Sequence, residues 1–278
     1  MCIKLAVPLL FLILQACIIR PTTESTKDIR IRTDLNAHFD ACGVSGTSVI
    51  YDVKNQTWTT NDTSTWKNED LPASSFKIIN LLIALETGVI KDENEVIPWV
   101  GSTDTVKYGY RPEIYKDMSV KEAFEVSAGW VFTELSKKIG KERYLHYLEK
   151  CRYGNMNLSE PDPDFWNYGE FAISPKNQVE FLYSLYTDKL PFSKRNMAIV
   201  KKVMVTEQNA DYTLHAKTGW TRANAQNVGW WVGYIETHSG DYLFATRLRQ
   251  DRKYNRADFG SCRKEITKKV MKELGIAL

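Results

Sequence analysis

Little in this sequence marks a strongly charged or metal-binding partner. Its net charge is only +3 over 278 residues, and its lysines are scattered. That leaves no electrostatic footprint for nucleic acid or for a membrane surface. Five cysteines and four histidines include no C-x-x-C and no H-E-x-x-H, so no metal site and no redox pair is expected. Internal repeats and low-complexity tracts are absent. The apolar run Leu5 to Leu14 falls short of the roughly 20 residues a permanent membrane span requires. What remains is an ordinary globular composition, 43% apolar and 26% charged, in a chain long enough to bury a substantial core.

The N-terminus stands apart. Lys4 precedes the apolar run, the arrangement of a secretory signal, so residues 1–16 are expected to be removed. Leu14-Gln15-Ala16-Cys17 resembles the cleavage box of bacterial lipoproteins, with Gln15 an unusual occupant. Lipidation at Cys17 is the preferred expectation, and plain signal cleavage is the alternative. The protein would then lie in the periplasm of a Gram-negative bacterium, on the outer membrane if lipidated, with the lipid as its only membrane contact. Residues 17–34 read as a polar tether, and 35–278 as one folded domain. With Cys17 acylated, Cys42, Cys151 and Cys262 allow one disulfide at most, and their spacing does not choose the pair.

Hydrophobic periodicity organises the rest. Gly46–Val53 and Thr57–Thr60, joined by a Lys54-Asn55 turn, predict a β-hairpin. Ser74 to Gly88 predicts a helix, apolar on nearly every face and therefore buried, closing on a C-cap glycine. Ser119 to about Val205 is mostly helical, interrupted by a Pro-, Asn- and Gly-rich loop near 151–169. Strands return at Tyr212–Lys217, Val228–Glu236 and Tyr242–Leu248, before a last helix from about Arg263 to Leu274. The expected fold is α+β: a central antiparallel sheet completed by both chain ends, flanked by helices, with an all-helical region beside it.

Ser-x-x-Lys occurs three times, at Ser64/Lys67, Ser74/Lys77 and Ser261/Lys264. Only the second opens a buried apolar helix. There the serine sits at the positive helix end, and the lysine one turn on shares its face. A lysine drawn into apolar surroundings can act as a base. An ordinary N-cap serine is the competing reading. Lys217-Thr218-Gly219 lies within a strand pattern and offers a cation and a hydroxyl beside a glycine, which marks close approach by a ligand or another backbone. A strand end with an incidental glycine is the competing reading.

Together these stretches resemble the class D β-lactamases, the oxacillinases. The resemblance rests on Pro72-Ala-Ser-Ser-Phe-Lys77 with Leu85-Glu-Thr-Gly-Val89, Ser127, Tyr153-Gly-Asn155 and Phe165-Trp166. Ile173-Ser174 with Asn177-Gln-Val-Glu-Phe181, His215-Ala-Lys-Thr-Gly-Trp220, Val228-Gly-Trp-Trp-Val-Gly-Tyr234 and Arg263-Lys264 continue it in order. It implies a β-lactamase/transpeptidase-like fold and a β-lactam as the small-molecule substrate. Ser74 would be the nucleophile, and Lys77, carbamylated by carbon dioxide or bicarbonate and with no other cofactor, the general base. Trp166 would donate to the carbamate, and Ser127 would relay a proton to the leaving nitrogen. The backbone N–H groups of Ser74 and Trp220 would form an oxyanion hole. Lys217, Thr218 and Arg263, beside Gly219, would hold the substrate carboxylate.

Two positions depart from the family pattern. Gly129 stands where Ser-x-Val is usual, and Asn167 where an apolar residue commonly follows the tryptophan. Both would leave the lysine less covered, with Trp130 able to refill part of the space. Three activities therefore remain open: a β-lactamase, a penicillin sensor that stays acylated, and a cell-wall peptidase.

Overall fold

The computed structural model describes residues 28–254 and 256–278. The expected signal segment 1–16 and the expected lipidation at Cys17 lie outside the described residues. Among those described, no helix is long and apolar enough to cross a membrane.

The chain runs β1 (Ile29–Ile31), α1 (Asn36–Ala41), β2 (Ser45–Asp52), β3 (Thr57–Thr60), a 3-10 turn (Ala73–Phe76), α2 (Lys77–Glu86), β4 (Val96–Ile97), α3 (Thr105–Tyr108), β5 (Met118–Ser119) and α4 (Val120–Glu125). It continues with α5 (Gly129–Ile139), α6 (Lys141–Cys151), α7 (Phe165–Tyr168), α8 (Pro175–Tyr186), α9 (Lys194–Val203), β6 (Val205–Gln208), β7 (Tyr212–Ala223), β8 (Gln226–Thr237), β9 (Gly240–Asp251) and α10 (Phe259–Glu273). The sheet has seven strands in the order β1-β3-β2-β9-β8-β7-β6. Both chain ends do complete it, because N-terminal β2 pairs with C-terminal β9, and the helical stretch α4–α9 packs beside it.

Two expectations need correction. Residues 29–31 are not tether: they pair in parallel with β3, so the sheet is antiparallel except at that edge. The last helix begins at Phe259, four residues earlier than expected, which puts Arg263 inside it rather than at its start. Apolar periodicity does not register these four residues, because only Phe259 and Cys262 among them face the core.

The sheet separates two cores. On one face Leu35, Phe39, Trp231, Phe244, Ile266 and Val270 join α1 and α10 to the strands. A disulfide between Cys42 and Cys262 pins those helices together, with Cα atoms 6.2 Å apart, and leaves Cys151 as a free, half-buried thiol. The larger core surrounds α2, which is buried along nearly its whole length as its apolar sequence requires. Burying such a helix takes it through the middle of the domain, and its first turn therefore meets the floor of a cleft beside β7.

Candidate active site

Ser74 lies in the 3-10 turn rather than in α2 itself, and Lys77 is the first α-helical residue. The preceding Ala73 adopts a left-handed φ of +50° while fully buried, the kind of local strain that concentrates at functional sites. The turn is held in place from outside. Trp230 donates its indole N–H to Leu71 O at 2.9 Å, so this tryptophan of β8 anchors the entry to the nucleophile turn. Neighbouring Ser75 is buried, donates to Pro72 O at 2.7 Å and accepts from Gln178 at 2.9 Å. That commitment removes it as a nucleophile, whereas half-buried Ser74 opens onto a cavity of about 430 Å³.

Lys77 Nζ lies 2.7 Å from Ser74 Oγ. Its side chain is 1% exposed and packs with Nζ 5.3 Å from the centre of the Phe132 ring. Burial, assisted by the nearby positive charge of Arg111 and opposed by Asp164, pulls its pKa down to about 7. Lys77 is therefore buried, although it lines the cavity, contrary to the expectation drawn from Gly129 and Asn167 that it would be less covered. Both of those residues do line the cavity, and a Cβ placed on Gly129 would meet nothing within 4 Å. The missing side chains leave the pocket wider, while α2 and Phe132 of α5 still bury the lysine.

A second serine–lysine pair adjoins the cavity, its serine lining it. Lys217 Nζ lies 3.1 Å from Ser127 Oγ. Ser127 sits between α4 and α5 with a left-handed φ of +59°. Lys217 is buried, and its pKa is pushed well down, first by burial and then by Lys77, Arg263, Lys264 and Arg111. An incoming carboxylate would reverse that shift by supplying the opposite charge.

Gly219 explains the third letter of the Lys-Thr-Gly motif. A Cβ there would come within 2.7 Å of Pro72 O and 3.1 Å of Ser75 N, with Ser74 N at 3.3 Å. Only glycine lets β7 run this close to the nucleophile turn. Thr218, Gly219 and Trp220 all line the cavity. Arg263, also lining it, donates to Gly219 O at 2.5 Å, and its buried Nε has no hydrogen-bond partner. Burial lowers its pKa to about 10, so it remains a cation at neutral pH with a donor unsatisfied.

Trp166 stacks on Phe76, the residue before Lys77, with ring centroids 4.9 Å apart and planes 11° apart. Its Nε1 is buried and has no partner. A buried N–H without an acceptor is costly. The Tyr153-Gly-Asn motif is structural. Gly154 N donates to Asn177 Oδ1 at 2.8 Å, and Asn155 bonds Glu170 O and Ala172, which fastens α8 to the segment that follows Trp166.

The structure thus gathers Ser74, Lys77, Ser127, Thr218, Gly219, Trp220 and Arg263 around one cleft, with Lys217 joined to it through Ser127 and Trp166 behind it. Ser64, Lys67, Ser261 and Lys264 are exposed surface residues. Sequence reasoning missed Lys107, Tyr108 and Arg111, which line the cavity from segment 103–111. No periodicity or motif marks that stretch.

Comparison with known proteins agrees with this geometry. Residues 46–272 match the penicillin-binding protein transpeptidase domain. The chain is 38% identical to the β-lactamase OXA-10 of Pseudomonas aeruginosa over 258 residues, covering 92% of this chain and 94% of that one. It is 36% identical to OXA-48 of Klebsiella pneumoniae, covering 86% of each. The crystal structure of a class D β-lactamase from Sebaldella termitidis superposes with a TM-score of 0.85 at 38% identity, over 91% of this chain and all of that one. This chain belongs to the class D β-lactamases. The β-lactamase/transpeptidase-like fold of that family is the sheet-and-helix arrangement described above.

Proposed function

We propose that the protein hydrolyses β-lactams through an acyl-enzyme on Ser74. The observation that carries this reading is the 2.7 Å approach of Ser74 Oγ to a fully buried Lys77 whose pKa falls to about 7. A lysine at its ordinary pKa is neutral about once in 2,500 molecules at pH 7, whereas this one is neutral in about half of them.

Ser74 Oγ adds to the lactam carbonyl and loses its proton toward the Lys77 end of the pocket. The developing oxyanion meets the backbone N–H groups of Ser74 and Trp220. As the C–N bond breaks, Ser127, backed by Lys217 at 3.1 Å, passes a proton to the departing nitrogen. Water then cleaves the ester, which returns the proton to Ser74. Lys217, Thr218 and Arg263 hold the substrate carboxylate, which offers an acceptor to the unsatisfied Arg263 Nε. Lys77 and Trp166 suit carbon dioxide addition at Nζ, the desolvated amine supplying the reacting lone pair and the orphaned indole N–H the oxygen's partner. The resulting carbamate would supply a carboxylate-like base for both acylation and deacylation.

Turnover of a chromogenic cephalosporin by the full chain tests this reading. Steady hydrolysis that Ser74→Ala abolishes supports it, and a single stoichiometric release of chromophore favours a sensor or peptidase.

We also propose that the mature protein is a periplasmic lipoprotein anchored at Cys17. The signal-like N-terminus and the Cys42–Cys262 disulfide support export, because such bonds persist in oxidising compartments. Labelled palmitate should enter the wild type and not Cys17→Ser.

A further inference from the structure

Segment 103–109 reaches over the cavity with almost no packing of its own. Val106 is 96% exposed and Tyr110 75% exposed, and α3 is a single turn capped by Asp104. Its C-terminal root is firmly held. Tyr115 donates to Gly109 O and accepts from Arg111 N, and it stacks on Trp99, which Trp130 meets edge-on. The middle of the segment has no such support. Among the described residues, every hydrogen bond from 103–108 to the rest of the molecule ends on Asp162, Asp164 or Tyr168.

Asp164 is the centre of that attachment. Its side chain is 1% exposed, and its carboxylate oxygens are met only by Tyr108 Oη at 2.5 Å and Lys107 Nζ at 3.4 Å. Lys107 also reaches exposed Asp162 at 2.8 Å, and its Nζ lies 4.4 Å from the centre of the Tyr168 ring. Tyr168 in turn donates to Lys107 O at 2.7 Å. A buried carboxylate stripped of its partners is strongly unfavourable, so Asp164 resists any lifting of the segment. Its own side is packed into the body. Ser136 donates to Pro163 O at 2.6 Å, and the adjoining Phe165 and Trp166 pack into the rings of Phe76, Tyr144 and Phe171.

We propose that Asp164 is a positioning residue that latches segment 103–109 down and so sets the width of the substrate pocket. Lys107, Tyr108 and Gly109 form that side of the cavity. The fixed end of the latch is the Trp166 segment, and the movable end is the segment with Tyr108. Resting on the β-lactam reading for its functional half, the latch governs which acyl side chains fit.

Hydrogen–deuterium exchange on the full chain tests the latch without any substrate. Backbone amides within 103–109 should exchange at least about tenfold faster in Asp164→Ala than in the wild type, with the rates around α2 unchanged. Tyr108→Phe keeps the ring and removes one bond, so it should give a smaller acceleration of about threefold, and its effect should not add to that of Asp164→Ala. Kinetics supply the second readout. Because Asp164 also acts on Lys77 through its charge, two substrates are compared: Asp164→Ala should change the ratio of kcat/KM between a penicillin with a bulky acyl side chain and one with a small side chain by about five- to tenfold, a ratio that an altered Lys77 does not move. Unchanged exchange in both variants, or wild-type amides already exchanging as an open loop, overturns the latch. If Asp164→Ala does not fold, Tyr108→Phe decides the matter alone. Accelerated exchange with no β-lactam turnover in any form would keep the latch and discard the proposed substrate.

Discussion

The cavity has two kinds of wall. One is the nucleophile turn and β7, where Gly219 brings backbone against backbone, Trp230 fixes Leu71, and both lysines are buried. The other is segment 103–111 with Gly129 and Asn167, built from short exposed elements and joined to the body largely through side-chain bonds. Chemistry needs reacting atoms held to fractions of an ångström, and it sits on the first wall. Substrate fit tolerates adjustment, and the second wall is free to vary.

The strongest way to break this comparison lies on the rigid wall. Ser74→Ala should lower kcat by at least about a thousandfold and abolish labelling by a fluorescent penicillin. Ser64→Ala and Ser261→Ala should leave labelling intact. Labelling that survives Ser74→Ala would remove the mechanism altogether.

Next in size is the clamp. Arg263→Ala takes away a charge-assisted contact worth about 1.5–3 kcal/mol, which should raise KM for penicillins by roughly ten- to a hundredfold with kcat far less affected. An unchanged KM in initial-rate measurements would assign carboxylate binding to Lys217 alone.

The pH dependence tests the buried amine. Lys77 titrates near 7 because burial disfavours its charged form; above that pH the neutral amine dominates, and below it the ammonium. Activity limited by the neutral amine should therefore fall by about tenfold for each unit below pH 7. Added bicarbonate should restore part of the loss, and degassing should deepen it. A flat profile between pH 5 and 7 would contradict the assignment.

The smallest effect belongs to the variable wall. A Cβ on Gly129 meets open space and opens α5, so Gly129→Ala should fold normally and stabilise the protein by about 0.4–1 kcal/mol in urea unfolding. Gly219→Ala, on the rigid wall, should instead destabilise by about 1–3 kcal/mol. Equal tolerance at both glycines would erase the distinction between the walls.

Legibility in the sequence followed the same division. The apolar run after Ser74 and the alternation of the C-terminal strands follow from burial, which leaves periodic traces, and the Ser-x-x-Lys and Lys-Thr-Gly spacings follow from geometry fixed within one turn or one strand. The latch left no trace, because Lys107 and Asp164 are far apart in sequence and each reads as a solvated charge. Strand β1 was hidden for a related reason: all three of its residues are exposed. Covering of Lys77 was misjudged since it depends on whole helices and not on two side chains.

The most direct test follows the covalent adduct through time. Full-length protein mixed with excess benzylpenicillin and quenched at intervals should show, by intact mass and peptide mapping, a penicilloyl group on the peptide containing Ser74. The account predicts that this adduct disappears within seconds once substrate is exhausted, leaving free protein and hydrolysed penicillin. An adduct that persists for hours, or that maps to Ser64, Ser75 or Ser261, would contradict it.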